Sequence, residues 1–178
     1  MIQNVHQRYV HASAESVGEL LESLSTKQDR LWPRGQWPSM RLDRPLGVGA
    51  TGGHGPVRYV VDAYEPGRSV RFRFTGPAGF HGHHAFTVSE TAEESIALLR
   101  HELMMAVTGL SRATWPLFFR PLHDALIEES FDRAESETGN PPAVPAKRSL
   151  WVRVLRSVAA LPKTRPSALR TMSGSLRR

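Results

Sequence analysis

Apolar and polar positions follow two different periods along this chain, and the switches between them mark its elements. Val5 to His11 reads as a first strand. Val17, Leu20, Leu21 and Leu24 then recur at helical spacing between Glu15 and Leu24, with Ser13 or Ser16 placed to cap that helix. From Val57 the period is two. Val57–Tyr64 is a strand and Glu65-Pro-Gly-Arg68 a turn. Ser69–Phe74 then sets Val70, Phe72 and Phe74 on one face and Arg71 and Arg73 on the other. Gly76-Pro-Ala-Gly79 turns again, and Phe80–Ser89 and Ser95–Val107 follow as longer strands. The short loops between these runs predict an antiparallel meander. Helical spacing returns from Ser111 to Ser136 in Trp115, Phe118, Phe119, Leu122, Leu126, Ile127 and Phe131. Pro116 suits a first turn, whereas Pro121 predicts a kink or break near Phe118.

Two stretches show neither period. Residues 29–56 hold Trp32-Pro33, Trp37-Pro38 and the glycine-rich run Gly47 to Pro56, a density of Gly and Pro that predicts irregular structure. Thr138–Ala146 is a Pro-rich linker. Beyond it, Lys147–Leu161 predicts a helix with Trp151, Val154, Leu155 and Val158 on one face and Arg148, Arg153 and Arg156 opposite, and residues 162–178 read as disordered. The expected organisation is one domain over residues 1–137 and a basic extension over 138–178.

Charge sharpens that division. The chain of 178 residues carries +6, yet no Asp or Glu follows Glu137, where nine Lys and Arg lie. The first 137 residues hold 14 basic and 17 acidic side chains, so the basic character belongs to the extension. The absence of cysteine excludes disulfides, thiolate metal ligands, a cysteine nucleophile and iron–sulfur clusters. No apolar run reaches the roughly 18 residues of a spanning helix, and the first residues lack the apolar core of a signal peptide. A cytoplasmic protein is the expectation.

Strand, short helix, meander and long helix is the order of the helix-grip fold, an α+β architecture in which a curved antiparallel sheet wraps a long C-terminal helix around an internal cavity. The resemblance extends to particular residues. Asp29-Arg-Leu-Trp-Pro33, Trp37-Pro38, Arg41-Leu-Asp-Arg-Pro-Leu46, Gly49-Ala50, Gly53-His-Gly-Pro-Val-Arg-Tyr59, Tyr64-Glu-Pro-Gly-Arg68 and Pro121-Leu-His-Asp-Ala-Leu126 resemble a bacterial branch of the SRPBCC superfamily. START, Bet v 1-like and polyketide cyclase/dehydrase-like proteins belong to that superfamily. The resemblance covers residues 1 to about 137 and implies the fold. Function it leaves open, because the superfamily spans lipid carriers, hormone receptors, cyclases and members without a known role.

Strand phase sorts the eight histidines. His84 shares its phase with Phe80, Phe86 and Val88, and His101 shares its phase with Leu99, Leu103, Met105 and Val107. Both are expected on the concave side, with His81 and His83 on the other. His123 lies beside Leu122 and Leu126, and His54 sits in the glycine-rich run. The expected ligand site therefore has polar points at His84, His101, His123 and His54, with Arg58 near an anionic group. Its apolar walls are Phe72, Phe74, Phe86, Leu99, Met105 and Phe119. The Trp-Pro pairs read as pegs that pin the irregular segment to the sheet.

Other chemistries fit less well. Gly47–Gly55 lacks Gly-Lys-Ser/Thr and precedes a strand, so it reads as a loop over the cavity mouth rather than a phosphate loop. No Gly-x-Ser-x-Gly elbow occurs. His123 and Asp124, adjacent on a helix, are expected to diverge by about 100° and not to pair. His81-Gly-His-His84 has no carboxylate or cysteine close in sequence, so no metal and no cofactor is expected. Three readings remain. The first is a binding protein for a small apolar or amphipathic molecule. The second is a cyclase-, dehydratase- or hydrolase-type enzyme using the same histidines. The third is a protein that meets an anionic membrane surface through its basic extension. No specific nucleic-acid binding is expected.

Overall fold

The computed structural model describes residues 1–160. Seven strands make one antiparallel sheet: β1 (Ile2–Val10), β2 (Arg41–Leu42), β3 (Thr51–His54), β4 (Val57–Glu65), β5 (Ser69–Gly76), β6 (Phe80–Glu90) and β7 (Ala97–Val107). The spatial order is β1-β7-β6-β5-β4-β3-β2. The meander from β2 to β7 is thus sequential, and the first strand closes it by pairing with the last, from Ile2 opposite Met105 to Val10 opposite Ala97. Register shifts at Arg58/Tyr59 and Val61/Ala63 bend β4 and help curl the sheet.

Alternation decides which face is buried. Phe80, His84, Phe86 and Val88 of β6 point inward, as do Ala97, Leu99, His101, Leu103 and Met105 of β7. Helix α1 (Ala14–Glu22) is capped by Ser13, whose Oγ accepts the Ser16 N–H at 3.2 Å. It lays Val17, Leu20 and Leu21 on this concave face against β6 and β7. A Cβ at Gly18 would sit 2.5 Å from the Gly67 carbonyl oxygen, so only glycine lets α1 close on the β4–β5 turn.

The expected long helix is broken where Pro121 requires. A short helix α2 (Ser111–Thr114) leads into one π-helical turn (Trp115–Phe119), and α3 (Arg120–Glu137) continues with Pro121 in its first turn. Proline has no N–H for the Leu117 carbonyl, and that carbonyl instead accepts the indole N–H of Trp151 at 2.7 Å. Leu126, Ile127, Phe131 and Ala134 of α3 bury against the sheet. Arg8 of β1 fastens the helix to the sheet through Glu128, Asp132 and Glu135 at 2.7, 3.0 and 2.6 Å. With its curved sheet around this helix, the chain has the helix-grip fold.

Two expectations need correction. Residues 29–56 are not irregular throughout, since β2 and β3 lengthen the sheet through them. Thr51–His54 of the glycine-rich run are therefore a strand rather than part of a loop, and of the run only His54 and the turn that follows, Gly55-Pro56, stand at the cavity. The strand escapes the period-two test because Gly52 and Gly53 have no side chains to alternate, and a Cβ on either would collide with the Arg41 or Val57 carbonyl. The rest of the segment is pinned by polar contacts. Asp29 accepts N–H bonds from Ser25, Leu31 and Trp32 at 3.0, 3.0 and 2.8 Å, and Arg133 of α3 donates to the Asp29 and Trp32 carbonyls at 2.9 and 2.8 Å.

The second correction concerns α4 (Leu150–Ala160). Among its described side chains Val152 and Leu155 are buried, while Trp151, Val154 and Val158 of the expected apolar face are exposed. Arg148 and Arg156, expected to face water, turn inward. Arg148 Nη2 reaches Glu129 Oε2 at 2.6 Å, and the Arg156 guanidinium lies 4.5 Å from the Trp37 ring centre. A carboxylate and an indole face compete successfully with water for these arginines, and the helix docks on a mixed face rather than its most apolar one. No helix among the described residues is long and apolar enough to cross a membrane. The expectation for residues 162–178 lies outside the described residues.

Gly18→Ala tests the close approach of α1. It is expected to lower unfolding free energy by about 1–3 kcal/mol in urea titration through overpacking, whereas a gain would mean that the β4–β5 turn yields freely.

Candidate functional site

The concave face is filled unevenly. α1 and the central part of α3 pack one end solid. At the other end β5 and β6 separate, their pairing ceasing at Arg73–His83 although both strands run on. A cavity of about 340 Å³ occupies this opening. Phe74, Phe80 and Leu103 form its sheet wall, and Trp115, Phe119, Leu122 and Leu126 its helix wall. The Trp37-Pro38 segment, the β3–β4 turn and Arg156 of α4 stand at its rim.

Three histidines interrupt this apolar lining: His54, His84 and His123. His84 is sandwiched between Phe72 and Phe74, at ring separations of 5.0 and 5.2 Å and tilts of 21° and 25°. Its Nδ1 lies 3.2 Å from His101 Nε2 one layer deeper, and His101 in turn lies 5.0 Å from the His123 ring. His54 Nδ1 meets the Tyr59 hydroxyl at 3.2 Å and packs 4.7 Å from the Trp32 ring.

Proton counting in the His84–His101 pair is informative. One nitrogen of the contact donates and the other accepts. If His84 donates, neutral His101 carries its proton on Nδ1. If His101 donates, neutral His84 carries its proton on Nε2. Among the described residues neither His84 Nε2 nor His101 Nδ1 has a hydrogen-bond partner, and neither does His123 Nε2. Each tautomer thus leaves one buried N–H and one buried lone pair unanswered, at a cost of about 1–3 kcal/mol for an unmade bond.

Burial also settles charge. Desolvation holds His84 and His101 well below the ordinary imidazole value, helped by the neighbouring histidines. It pushes His54 down to about 3 and lowers His123 despite the adjacent Asp124 carboxylate. Behind the cavity the balance reverses at His6 of β1. Burial opposes its charge, but Asp124 and Glu128 outweigh burial and raise its pKa. His6 Nδ1 lies 2.7 Å from Glu128 Oε1, and its Nε2 lies 3.3 Å from Asp124 Oδ1. Asp124 is held below the usual carboxylate range, its burial being outweighed by His123 and His6.

Of the eleven expected site residues, five border the cavity: His54, His84, His123, Phe74 and Phe119. His101 does not border the cavity but lies behind His84 and His123, which do. Phe72, Phe86 and Met105, like Leu99, are fully buried in the core and do not line the cavity. Arg58 does not enter either. It points to the convex side, where its guanidinium bonds the Gly55 and Val57 carbonyls at 2.8 Å. The expectation that His123 and Asp124 diverge is also corrected, since His123 Nδ1 lies 3.4 Å from Asp124 Oδ1. A 100° step separates Cβ directions, and two side chains at a helix edge still bend toward one another. Of the Trp-Pro pairs, Trp32 is a buried peg whose Nε1 donates to the Pro38 carbonyl at 3.0 Å, while Trp37 and Pro38 border the cavity.

Sequence reasoning missed Trp115, Arg156 and the group behind His123. A signal for that group is present. Asn4, His6 and Arg8 alternate on the helix-facing side of β1, and Asp124, Glu128, Asp132 and Glu135 repeat along one side of α3. Two polar stripes of complementary charge require each other.

No family model and no curated protein sequence matches the chain. Solved structures do. A Thermobifida fusca protein superposes with a TM-score of 0.59 at 14% identity, over 78% of this chain and 94% of that one. CalU16 from Micromonospora echinospora superposes at 0.55 and 13% identity, over 88% and 83%. Norcoclaurine synthase from Thalictrum flavum, solved in complex with dopamine and hydroxybenzaldehyde, superposes at 0.54 and 15% identity, over 76% and 86%. At these identities the likeness is one of fold, and the fold it shows is the Bet v 1-like helix grip.

The buried imidazoles fix a pH response. A histidine whose folded pKa is depressed takes up its proton only in the unfolded chain. Its contribution is therefore present above the unfolded value of 6.5 and lost as pH falls below it. Each such group adds a slope of up to about 1.4 kcal/mol per pH unit. His6, with a raised pKa, acts oppositely: its contribution is present below 6.5 and lost as pH rises through its folded value. Four groups outweigh one, so thermal melts should show the midpoint falling steeply from about pH 6.5 to about pH 5. His101→Phe should flatten that fall, and a flat profile in the parent chain would mean that the imidazoles are not held neutral.

Proposed function

We propose that the cavity binds a small, mostly apolar molecule carrying a neutral hydrogen-bonding group, such as a hydroxyl or carbonyl, that seats against His84 and His123. The observation that carries this reading is a pair of imidazole nitrogens without partners among the described residues, His84 Nε2 and His123 Nε2, on rings that border an otherwise apolar chamber. A ligand group there recovers the bonds that the fold leaves unmade. Neutral imidazoles act as donor or acceptor but offer no ion pair, which favours a neutral head over a carboxylate. The volume of about 340 Å³ fits a compact ligand of one or two rings rather than a two-chain lipid. That another protein of this fold holds dopamine and hydroxybenzaldehyde is compatible with the same ligand chemistry.

The matched pair naphthalene and 2-naphthol tests this reading in the full chain. The naphthol is expected to bind about tenfold tighter, one hydrogen bond being worth about 1 kcal/mol or somewhat more. His84→Phe with His123→Phe should erase that preference while keeping naphthalene binding. Equal affinities in the parent chain, or binding of neither, would refute the proposal. Native mass spectrometry of freshly purified protein beside an organic extract then identifies a retained ligand.

A second reading has its own observation. Leu150, Trp151, Val154 and Val158 of α4 are exposed, and Trp151 lies 6.4 Å from the exposed Phe118, joining them to Leu117 in one apolar patch. Arg112 of α2, Arg120 at the start of α3, Lys147 shortly before α4 and Arg153 of α4 are exposed as well. This combination suits the interface of an anionic bilayer. Sedimentation with phosphatidylglycerol vesicles, but not phosphatidylcholine vesicles, is expected at low salt. Trp151→Ser with Val154→Ser should abolish it, and equal sedimentation of parent and variant would dismiss this patch.

A further inference from the structure

His6, His123 and Asp124 converge from two elements on one point behind the cavity wall. One ligand atom from each lies within 4.8 Å of the others. His6 Nε2 and His123 Nδ1 approach the same oxygen, Asp124 Oδ1, at 3.3 and 3.4 Å. Those separations are long for charge-assisted hydrogen bonds, which run at about 2.7–2.9 Å. They match the edge of a tetrahedron around an ion with bonds of about 2.0–2.1 Å, which sets its donor atoms about 3.3 Å apart.

The surroundings are those of a metal ligand set. The other nitrogen of His6 is held at 2.7 Å by Glu128, and Arg8 fixes Glu128 at 2.7 Å from its far side. This is the carboxylate–histidine arrangement that orients a ligating imidazole. Asn4 Nδ2 braces Asp124 at 3.0 Å, and Asn4 Oδ1 is buried without a partner among the described residues, leaving an acceptor for a bound water. The local charge favours a cation. Asp124, Glu128, Asp132 and Glu135 face Arg8, which is shared among three of them, and Arg120, which stands 3.7 Å away on the other oxygen of Asp124. The side chains of His6 and His123 retain 14% and 16% exposure and that of Asp124 34%, so an ion has a path in.

We infer that His6 Nε2, His123 Nδ1 and Asp124 Oδ1 form a binding site for a divalent transition metal of the zinc class, with three protein ligands and a position open to water. Two imidazoles and one carboxylate suit Zn²⁺ and disfavour Mg²⁺ or Ca²⁺. The site also bears on the cavity. A metal on His123 Nδ1 locks the proton of that ring on Nε2, making His123 a fixed hydrogen-bond donor. The site stands independently of the ligand reading, since its residues converge whether or not the chamber is filled.

Isothermal titration of the EDTA-treated full chain with zinc chloride tests it. One ion per chain is expected, with a dissociation constant at or below about 10 μM, and a rise in melting temperature on zinc addition. His6→Ala and Asp124→Asn should each weaken binding at least tenfold, and Glu128→Gln about tenfold. His81→Ala with His83→Ala should leave it unchanged. Cobalt chloride on the unaltered chain gives a readout that no variant's folding can confound, and the intense visible bands of tetrahedral cobalt are expected. Absence of zinc binding, loss of binding with the His81 and His83 changes rather than His6→Ala, or a cobalt spectrum without tetrahedral bands would each overturn the site.

Discussion

Seven strands about 4.8 Å apart make a sheet roughly 30 Å wide, and one helix with its side chains is about 10–12 Å across. A single long helix therefore does not cover the concave face that it grips. Here α1 fills one end of the remainder with Leu20 and Leu21, while Phe86, Leu99 and Phe131 close the middle. The other end, where β5 and β6 separate, has only α3 and the π-helical turn in front of it. The cavity is what is left once the available apolar volume has been spent elsewhere. Its rim is closed by an element outside the grip itself, α4, through Arg148 and Arg156 on the Glu129–Trp37 pair.

Within that box, burial imposes opposite electrostatic states on rings a few ångströms apart. His84, His101 and His54 are walled by aromatic side chains and kept neutral by desolvation. His6 lies 5.9 Å from His123, yet the carboxylates of α3 hold it toward its charged form. His123 belongs to both environments, bordering the cavity and touching Asp124. An apolar ligand with a neutral polar group suits the first environment and a cation the second, and one imidazole connects them.

Much of this was legible in sequence. The period-two runs from Val57 to Val107 correspond to β4 to β7, and the phases of His84 and His101 placed both rings on the buried face. Pro121 announced the break that the π-helical turn occupies. What escaped was whatever lacks a side-chain period. Gly52 and Gly53 pair as a strand because they are bare, and bare residues leave no alternation to read. α4 docks through arginines because Glu129 and Trp37 await them, and neither is near α4 in sequence. Asp124 meets His6 across 118 residues.

The sequence by itself determined β1, β4 to β7 and the helices, their order, the sheet's inward face and the helix that must cover it, because strand and helix periods are local consequences of backbone geometry. Only the tertiary structure decided which inward residues border empty space. Phe72, Phe74 and Phe86 share a periodicity, yet only Phe74 lines the cavity, because occupancy depends on what packs in front of each. The same reason governs His6 and Asp124. Which charges meet is set by how a helix lies across a strand, and that orientation is a property of the whole packed core rather than of any segment.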